Sequence, residues 1–305
     1  MGTATGGNPG RVSYVEGVDR RAKTMLWMAF GCAALFGLVV LGAYFWGPGE
    51  TLDNEGLAGF VNANDGWVRP IAWRLTDFGD PPTVAAITLA LAALALVRGR
   101  PRVAATVIAL VAATSVSSQV LKALLAHPRF PPIFDYAVGP DALPSGHATA
   151  AMSLTLAGVL AAPRRARPFA ALVGSVLALG VGAAVVGVGW HFPSDVIAGY
   201  LLATGWALGL TAGLYEADRR FPTGERWSGS AIARASDRIA TGGLALVAVG
   251  AAAVAVLGTA ALVLADPSSA TCFAREHTAF VVVAGGVASS AVALPVMLAG
   301  VARRG

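Results

Sequence analysis

Long apolar runs broken by short polar or basic turns dominate the 305-residue chain. The first, Thr24 to Gly47, follows a Gly-rich polar start ending in Arg20, Arg21 and Lys23, and closes on the bulky Tyr44, Phe45 and Trp46. A cleaved leader would end on small residues, so this run predicts a retained membrane anchor. Residues 48–80 interleave Leu57, Phe60, Trp67, Ile71 and Trp73 with Asp53, Glu55, Asp65 and Arg69, which predicts a helix lying at the interface. Further runs occupy Pro82–Val97, Val103 to about Ala126, Ser145 to near Ala162, Pro168–Trp190 and Ser194 to about Leu214. A polar, Arg-rich connection precedes a seventh run near Ile239–Ala265. A short loop carrying Cys272, Arg275 and His277 leads to an eighth run closed by Arg303 and Arg304. Most of these runs approach the roughly 20 residues that cross a bilayer.

The expected fold class is therefore all-α: a polytopic membrane helix bundle with a six-helix core and two additional C-terminal transmembrane helices. Residues 1–23 form an N-terminal segment, 24–216 the six-span core, 217–238 a connection and 239–305 the last two spans. Gly174, Gly180, Gly182, Gly187 and Gly189 recur in the fifth span, as close helix packing in lipid favours.

Composition narrows the function classes. With 56% hydrophobic and 13% charged residues there is no room for a soluble domain, and a formal charge of +5 spread over turns is not a nucleic-acid surface. Placing the N-terminus in the cytoplasm leaves all but Arg69, Arg74, Lys122, Arg129 and Arg275 of the 22 Lys and Arg on the cytoplasmic side. Both termini are then cytoplasmic in a multi-pass cell-membrane protein. Cys32 lies within a span and Cys272 near the far end of the chain, so they are not expected to pair.

Three polar clusters stand at span ends that this topology brings to one, extracytoplasmic face: Leu121–Phe130, Pro144–His147 and His191–Asp195. Of four histidines in the chain, His127, His147 and His191 fall in these clusters, and Lys122 is one of two lysines. Taken singly, each has a structural explanation: Lys122 can snorkel to the interface, Ser145 can cap the fourth span, and Ser194 or Asp195 the sixth. Their convergence points to chemistry, because ionisable groups at such positions in an apolar chain are costly.

The set suits phosphoryl transfer through a covalent intermediate. His191 can attack phosphorus while Asp195 fixes its other nitrogen, and His147 can protonate the leaving oxygen. Lys122 and Arg129 can hold phosphoryl oxygens, and the Ser145 and Gly146 amides at a helix start form an anion site. No cofactor or metal is required. His147, His191 and Asp195 are zinc-ligand types but lack a spaced ligand motif on one element.

The clusters resemble the signature of the type 2 phosphatidic acid phosphatase family, membrane enzymes related in their core to vanadium haloperoxidases. Lys122 and Arg129 have the spacing of its first motif, Pro144-Ser145-Gly146-His147 is its second, and His191 and Asp195 have the spacing of its third. The resemblance covers roughly residues 20–216. It implies a lipid phosphatase acting on a polyprenyl diphosphate or a glycerophospholipid phosphate through a phosphohistidine, with lipid substrate and membrane as its partners. A phosphotransferase of the same chemistry and a non-catalytic lipid-binding or envelope-assembly relative remain alternatives. Two positions depart from the pattern. Phe130 replaces a proline, and Val185, after Ala184, stands where the family has a phosphate-holding arginine preceded by serine. No charged residue lies between Pro168 and Trp190, so the expected substitutes are His127 or Arg275.

Overall fold

The computed structural model describes residues 9–129, 138–221 and 267–303. The seventh predicted span, most of the connection before it and part of the Pro-rich loop lie outside the described residues. All regular structure in the described residues is helical: α1 (Pro9–Phe45), α2 (Gly47–Ala63), α3 (Val68–Thr76), a 3-10 turn (Asp77–Gly79), α4 (Pro81–Val97), α5 (Pro101–Leu124), α6 (Gly146–Ala161), α7 (Arg167–Gly187), α8 (Pro193–Arg220), α9 (Pro267–Glu276) and α10 (Thr278–Arg303). Prolines open α4, α5 and α8, where the missing N–H costs nothing and φ is already helical.

Among the described residues, five helices are long and apolar enough to cross a membrane: α1 from Arg20, α5, α7, α8 and α10. The pair formed by α3 with its 3-10 turn and α4, bent by 59°, makes up to a sixth. The protein is a multi-pass membrane helix bundle. At its centre is α6, which packs on α5, α7 and α8 and is buried along nearly its whole length. Its 16 residues span about 24 Å at 1.5 Å each, short of the roughly 30 Å hydrocarbon layer, so its ends are recessed within the bundle. Recession leaves the last α6 carbonyls to be satisfied from inside the protein. The turn between α4 and α5 does so: Arg98 donates to Ala161 O, and Arg100 donates to Leu160 O at 3.3 Å.

Small residues set the helix spacing as expected. The Gly174 carbonyl accepts from Thr155 Oγ1 at 2.8 Å, and a Cβ at Gly174 would overlap that threonine. α10 is built into the bundle, packing on α7, α2 and α8 with Val287, Ala291 and Leu298 fully buried. Its C-terminal end is tied to the α7 start, where Arg167 donates to Ala302 O.

Three expectations are corrected. The interfacial segment 48–80 is not one helix. Gly66, at φ 52°, breaks it after α2, with its N–H bonded to Asp65 Oδ1 at 2.6 Å. The segment carrying Cys272 and Arg275 is helix α9, and both side chains are exposed. α8 is capped at Phe192, so neither Ser194 nor Asp195 is its N-cap residue: Pro193 takes the first helical position and moves both into the first turn.

Candidate active site

The α7–α8 junction is shaped by its backbone. α7 ends with Gly189 N–H donating to Val186 O at 2.9 Å and Trp190 N–H to Val185 O at 3.0 Å, and Gly189 has φ 79°. This paired closure with a left-handed glycine is a Schellman motif. It turns the chain so that Trp190 and His191 leave α7 just before Pro193 starts α8.

In the first turn of α8 the Asp195 carboxylate is fully buried and accepts three contacts. Oδ2 takes the Phe192 N–H at 2.9 Å and faces His191 Nδ1 at 3.4 Å, and Oδ1 takes Arg129 Nη2 at 2.9 Å. An ionised carboxylate only accepts, so this placement puts the imidazole proton on Nδ1 and leaves the Nε2 lone pair outward. His191 itself is buried.

His147 stands in the first turn of α6, its Nε2 3.4 Å from Asp80 Oδ1 at the start of α4. Its ring lies 5.5 Å from that of Trp190, and a Cβ on Gly79 would overlap it. Both His191 and Lys122 are close enough to act electrostatically on His147. The structure thus groups His191, Asp195, His147, Lys122 and Arg129 at one end of the bundle, from α5 and the segment after it, α6, and the α7–α8 junction with the first turn of α8.

Ser145 is the N-cap residue of α6, as its place in the sequence suggests. Its amide donates to the Asp195 carbonyl at 2.9 Å, and its hydroxyl accepts from Ala148 N–H at 3.3 Å. Fully buried, Ser145 joins α6 to α8. Gly146 remains the first residue of α6. Arg129 is largely enclosed. Its side chain is 7% exposed, Nη1 donates to Asp53 Oδ2 at 3.1 Å and to Ser194 Oγ at 3.2 Å, and its guanidinium lies 4.5 Å from the Phe192 ring and 4.8 Å from that of Tyr44. His127 stacks on the same Tyr44 ring at 4.8 Å, with its N–H bonded to Pro140 O at 2.9 Å. Val185 is fully buried. Arg275 is exposed on α9, which packs on α10.

Two site carboxylates escaped the sequence reading. Asp80 bears on His147. Asp53, buried on α2, takes the Ser194 N–H at 2.9 Å on Oδ1 and both Arg129 and the Ser194 hydroxyl on Oδ2. Burial, opposed by Arg129 and assisted by Asp195, raises the Asp53 carboxyl from 3.8 to about 6. In sequence Asp53 looks like any polar residue of an interfacial helix, flanked by Thr51, Asn54 and Glu55. Among the described residues, no group of three or more His, Cys, Asp and Glu side chains is arranged to hold a metal ion.

The family model of the PAP2 superfamily matches residues 83–219. The match spans less than half of the 305-residue chain. It runs from α4 to the end of α8 and contains every element of the His191, His147, Lys122 and Arg129 grouping, whereas Asp53, Asp80 and Tyr44 lie before it. No curated protein sequence matches the chain. Among solved structures, the chain is similar to the first transmembrane PAP2 type phosphatidylglycerolphosphate phosphatase from Bacillus subtilis, at 18% identity and a TM-score of 0.49, covering 63% of this chain and 98% of that one.

Proposed function

We propose that this protein is a membrane phosphatase that hydrolyses the phosphomonoester or diphosphate of a lipid on the extracytoplasmic side. The observation that carries the reading is the buried Asp195 carboxylate against His191 Nδ1, with His147 electrostatically coupled across the α6–α8 joint. The PAP2 match over residues 83–219 supports it.

In the first step His191 Nε2 attacks phosphorus, forming a P–N bond as the P–O bond to the lipid breaks. Burial disfavours the charged form of His147 and the Asp80 contact works against that; from its protonated form His147 passes a proton to the departing oxygen. In the second step His147, now neutral, takes a proton from water, whose oxygen displaces His191 and releases inorganic phosphate. Asp195 steadies the charge on His191 throughout, and Lys122 with the α6 N-terminus at Gly146 balances the phosphoryl oxygens. The 3.4 Å His191–Asp195 contact is long for a hydrogen bond, as is common before substrate tightens such a site.

With Val185 buried at the arginine position, phosphate is held by fewer cations than the family signature implies. A slow enzyme is the expected consequence, since one charged donor at a transition state contributes on the order of 3 kcal/mol. The test is release of inorganic phosphate by purified protein from a panel of lipid phosphates and diphosphates beside His191→Ala. Release that survives in the variant would refute the mechanism, and label moving from lipid to an added alcohol would reassign the enzyme as a phosphotransferase.

A further inference from the structure

We infer that the groove between α1, α5 and α8 seats an apolar chain of the lipid substrate, and that Trp206, tied across its far end, sets the length of chain that fits. The inference rests on the proposed phosphatase reading and concerns the part of the substrate that reading leaves open.

The groove holds about 380 Å3, within the range of small-ligand sites. Phe36 and Ala29 of α1 form one wall, Leu202, Gly205 and Trp206 of α8 the second, and Leu121 of α5 the third. Its direction follows from the helices. α8 leaves the site at Pro193, and α1 arrives there with Tyr44 and Phe45 against Arg129 and His127. Phe36 and Leu202 therefore mark the end nearer His191, and Ala29 and Trp206 the far end. Leu121 directly precedes Lys122, which acts electrostatically on His147. The near end thus begins beside a cation of the candidate site, the order that a phosphorylated head followed by an apolar chain requires.

Small residues make the space. A Cβ at Gly205 would meet only Cys32 Cβ at 3.6 Å and Ala29 O at 3.7 Å, ordinary van der Waals distances, so a side chain there enters the groove without displacing α1. Trp206 closes it. Its Nε1 donates to Ser117 Oγ at 3.0 Å, which fixes the half-exposed indole across the gap from α8 to α5. At 1.5 Å per residue Trp206 stands about 20 Å along α8 from Pro193. One hydrocarbon leaflet is roughly 15 Å deep, so a chain that starts at the site and stops at Trp206 is about one leaflet long. Charge selects this groove over a second, of about 280 Å3, between α1, α2, α8 and α10. The second groove meets the site end at Asp53 and Ser194, where a carboxylate opposes an anionic headgroup that Lys122 would attract.

Chain length is the variable that tests the assignment. The measurement is kcat/KM for phosphate release from geranyl, farnesyl and geranylgeranyl diphosphates and from phosphatidic acid, by full-length wild type, Trp206→Ala, Ser117→Ala, Gly205→Leu and Gly286→Leu. Trp206→Ala should raise kcat/KM on geranylgeranyl relative to farnesyl diphosphate about tenfold, the low end of what one misfitted methylene contributes in an apolar pocket. Ser117→Ala should move the same ratio in the same direction. Gly205→Leu should lower kcat/KM on farnesyl diphosphate about tenfold and on the shorter geranyl diphosphate less. Gly286→Leu, in the second groove, should keep the wild-type order of substrates. Binding is read separately in the His191→Ala background, where a phosphatidic acid brominated near the end of its chain should quench tryptophan fluorescence. Most of that quenching should vanish when Trp206→Phe is added. An unchanged order of substrates in both Trp206→Ala and Gly205→Leu overturns the inference, and so does an order changed by Gly286→Leu alone. Equal quenching of Trp206 by a brominated phosphatidylcholine would make the groove an ordinary contact with bulk lipid and overturns it as well. A wild type that releases no phosphate from any of these lipids, while phosphatidic acid alone quenches Trp206, refutes the proposed function and upholds the groove. Release without quenching of Trp206 refutes the groove alone.

Discussion

His191 is where sequence and geometry agree most closely, because its partner lies one helical turn away and a four-residue spacing across Pro193 leaves little freedom. Replacing it with alanine should abolish phosphate release while leaving Tm nearly unchanged, since the ring is anchored through one loose contact. Asp80→Asn tests the other imidazole: with less support for the His147 imidazolium, kcat at neutral pH should fall about tenfold or more, on the scale of lost acid catalysis. An unchanged kcat would remove Asp80 from the mechanism. Asp53 gives a prediction about pH. Its carboxyl is raised from 3.8 to about 6 in the folded protein, so the folded state binds its proton more tightly than the unfolded chain does. The resulting stability is fully present below about pH 4 and is lost as pH rises through about 6. Asn carries no such titration, so the Tm of Asp53→Asn should gain on that of wild type between pH 4 and 7; a constant difference would contradict the raised carboxyl. Neither Asp53 nor Asp80 was legible in the sequence, because each acts on a group far along the chain: Asp53 reaches Arg129 across 76 residues. Ser145 caps α6 as its place in the sequence suggests, and it makes a second contact that the sequence does not show. A Ser before a helix announces a cap, but only the α6–α8 crossing shows that its amide is taken by the Asp195 carbonyl.

The helices themselves were largely legible. An apolar run bounded by proline and arginine fixes both ends of a span, and α5, α7 and α8 lie where those boundaries place them. The breaks inside residues 48–80 were less visible, since the mixed polarity of an interfacial helix hides turns such as the one at Gly66. The short α6 shows what a pattern of hydrophobicity leaves out: its length says only that it is apolar, whereas its position at the centre of the bundle is set by Gly and Thr contacts with α7 and α8. The turn between α7 and α8 makes a prediction at this scale. Gly189 holds φ 79°, a conformation that an L side chain adopts at about 1–2 kcal/mol. Gly189→Ala should lower Tm by an amount matching that cost, and should reduce kcat further by rotating Trp190 and His191 away from His147. If Tm falls and kcat holds, the Schellman closure serves folding alone and does not aim the nucleophile.

At the scale of the whole molecule, α10 supplies a reporter of the side of the membrane that the site faces. Its C-terminal end meets the start of α7 through Arg167 and the end of α8 through Tyr215, both bonded to Ala302 O. Its N-terminal end lies against α2 and the α8 start, where a Cβ on Gly56 would crowd both Val283 and Pro193. The N-terminal end of α10, and α9 just before it, therefore belong to the end of the bundle that carries His191. Cys272 is exposed on α9, while Cys32 is buried in α1, so one thiol alone is open to a water-soluble reagent. The proposed orientation, with basic turns in the cytoplasm and the site outside, predicts that a membrane-impermeant maleimide labels Cys272 in intact cells and that Cys272→Ser removes the label. Labelling that appears only after permeabilisation would turn the molecule over. It would leave His191 facing cytoplasmic lipid and set the positive turns against the usual charge bias, whose cost grows with each arginine that must cross. The same labelling separates a site open to an outer-leaflet lipid from one fed by cytoplasmic phosphates, a distinction no measurement on detergent-purified protein can make.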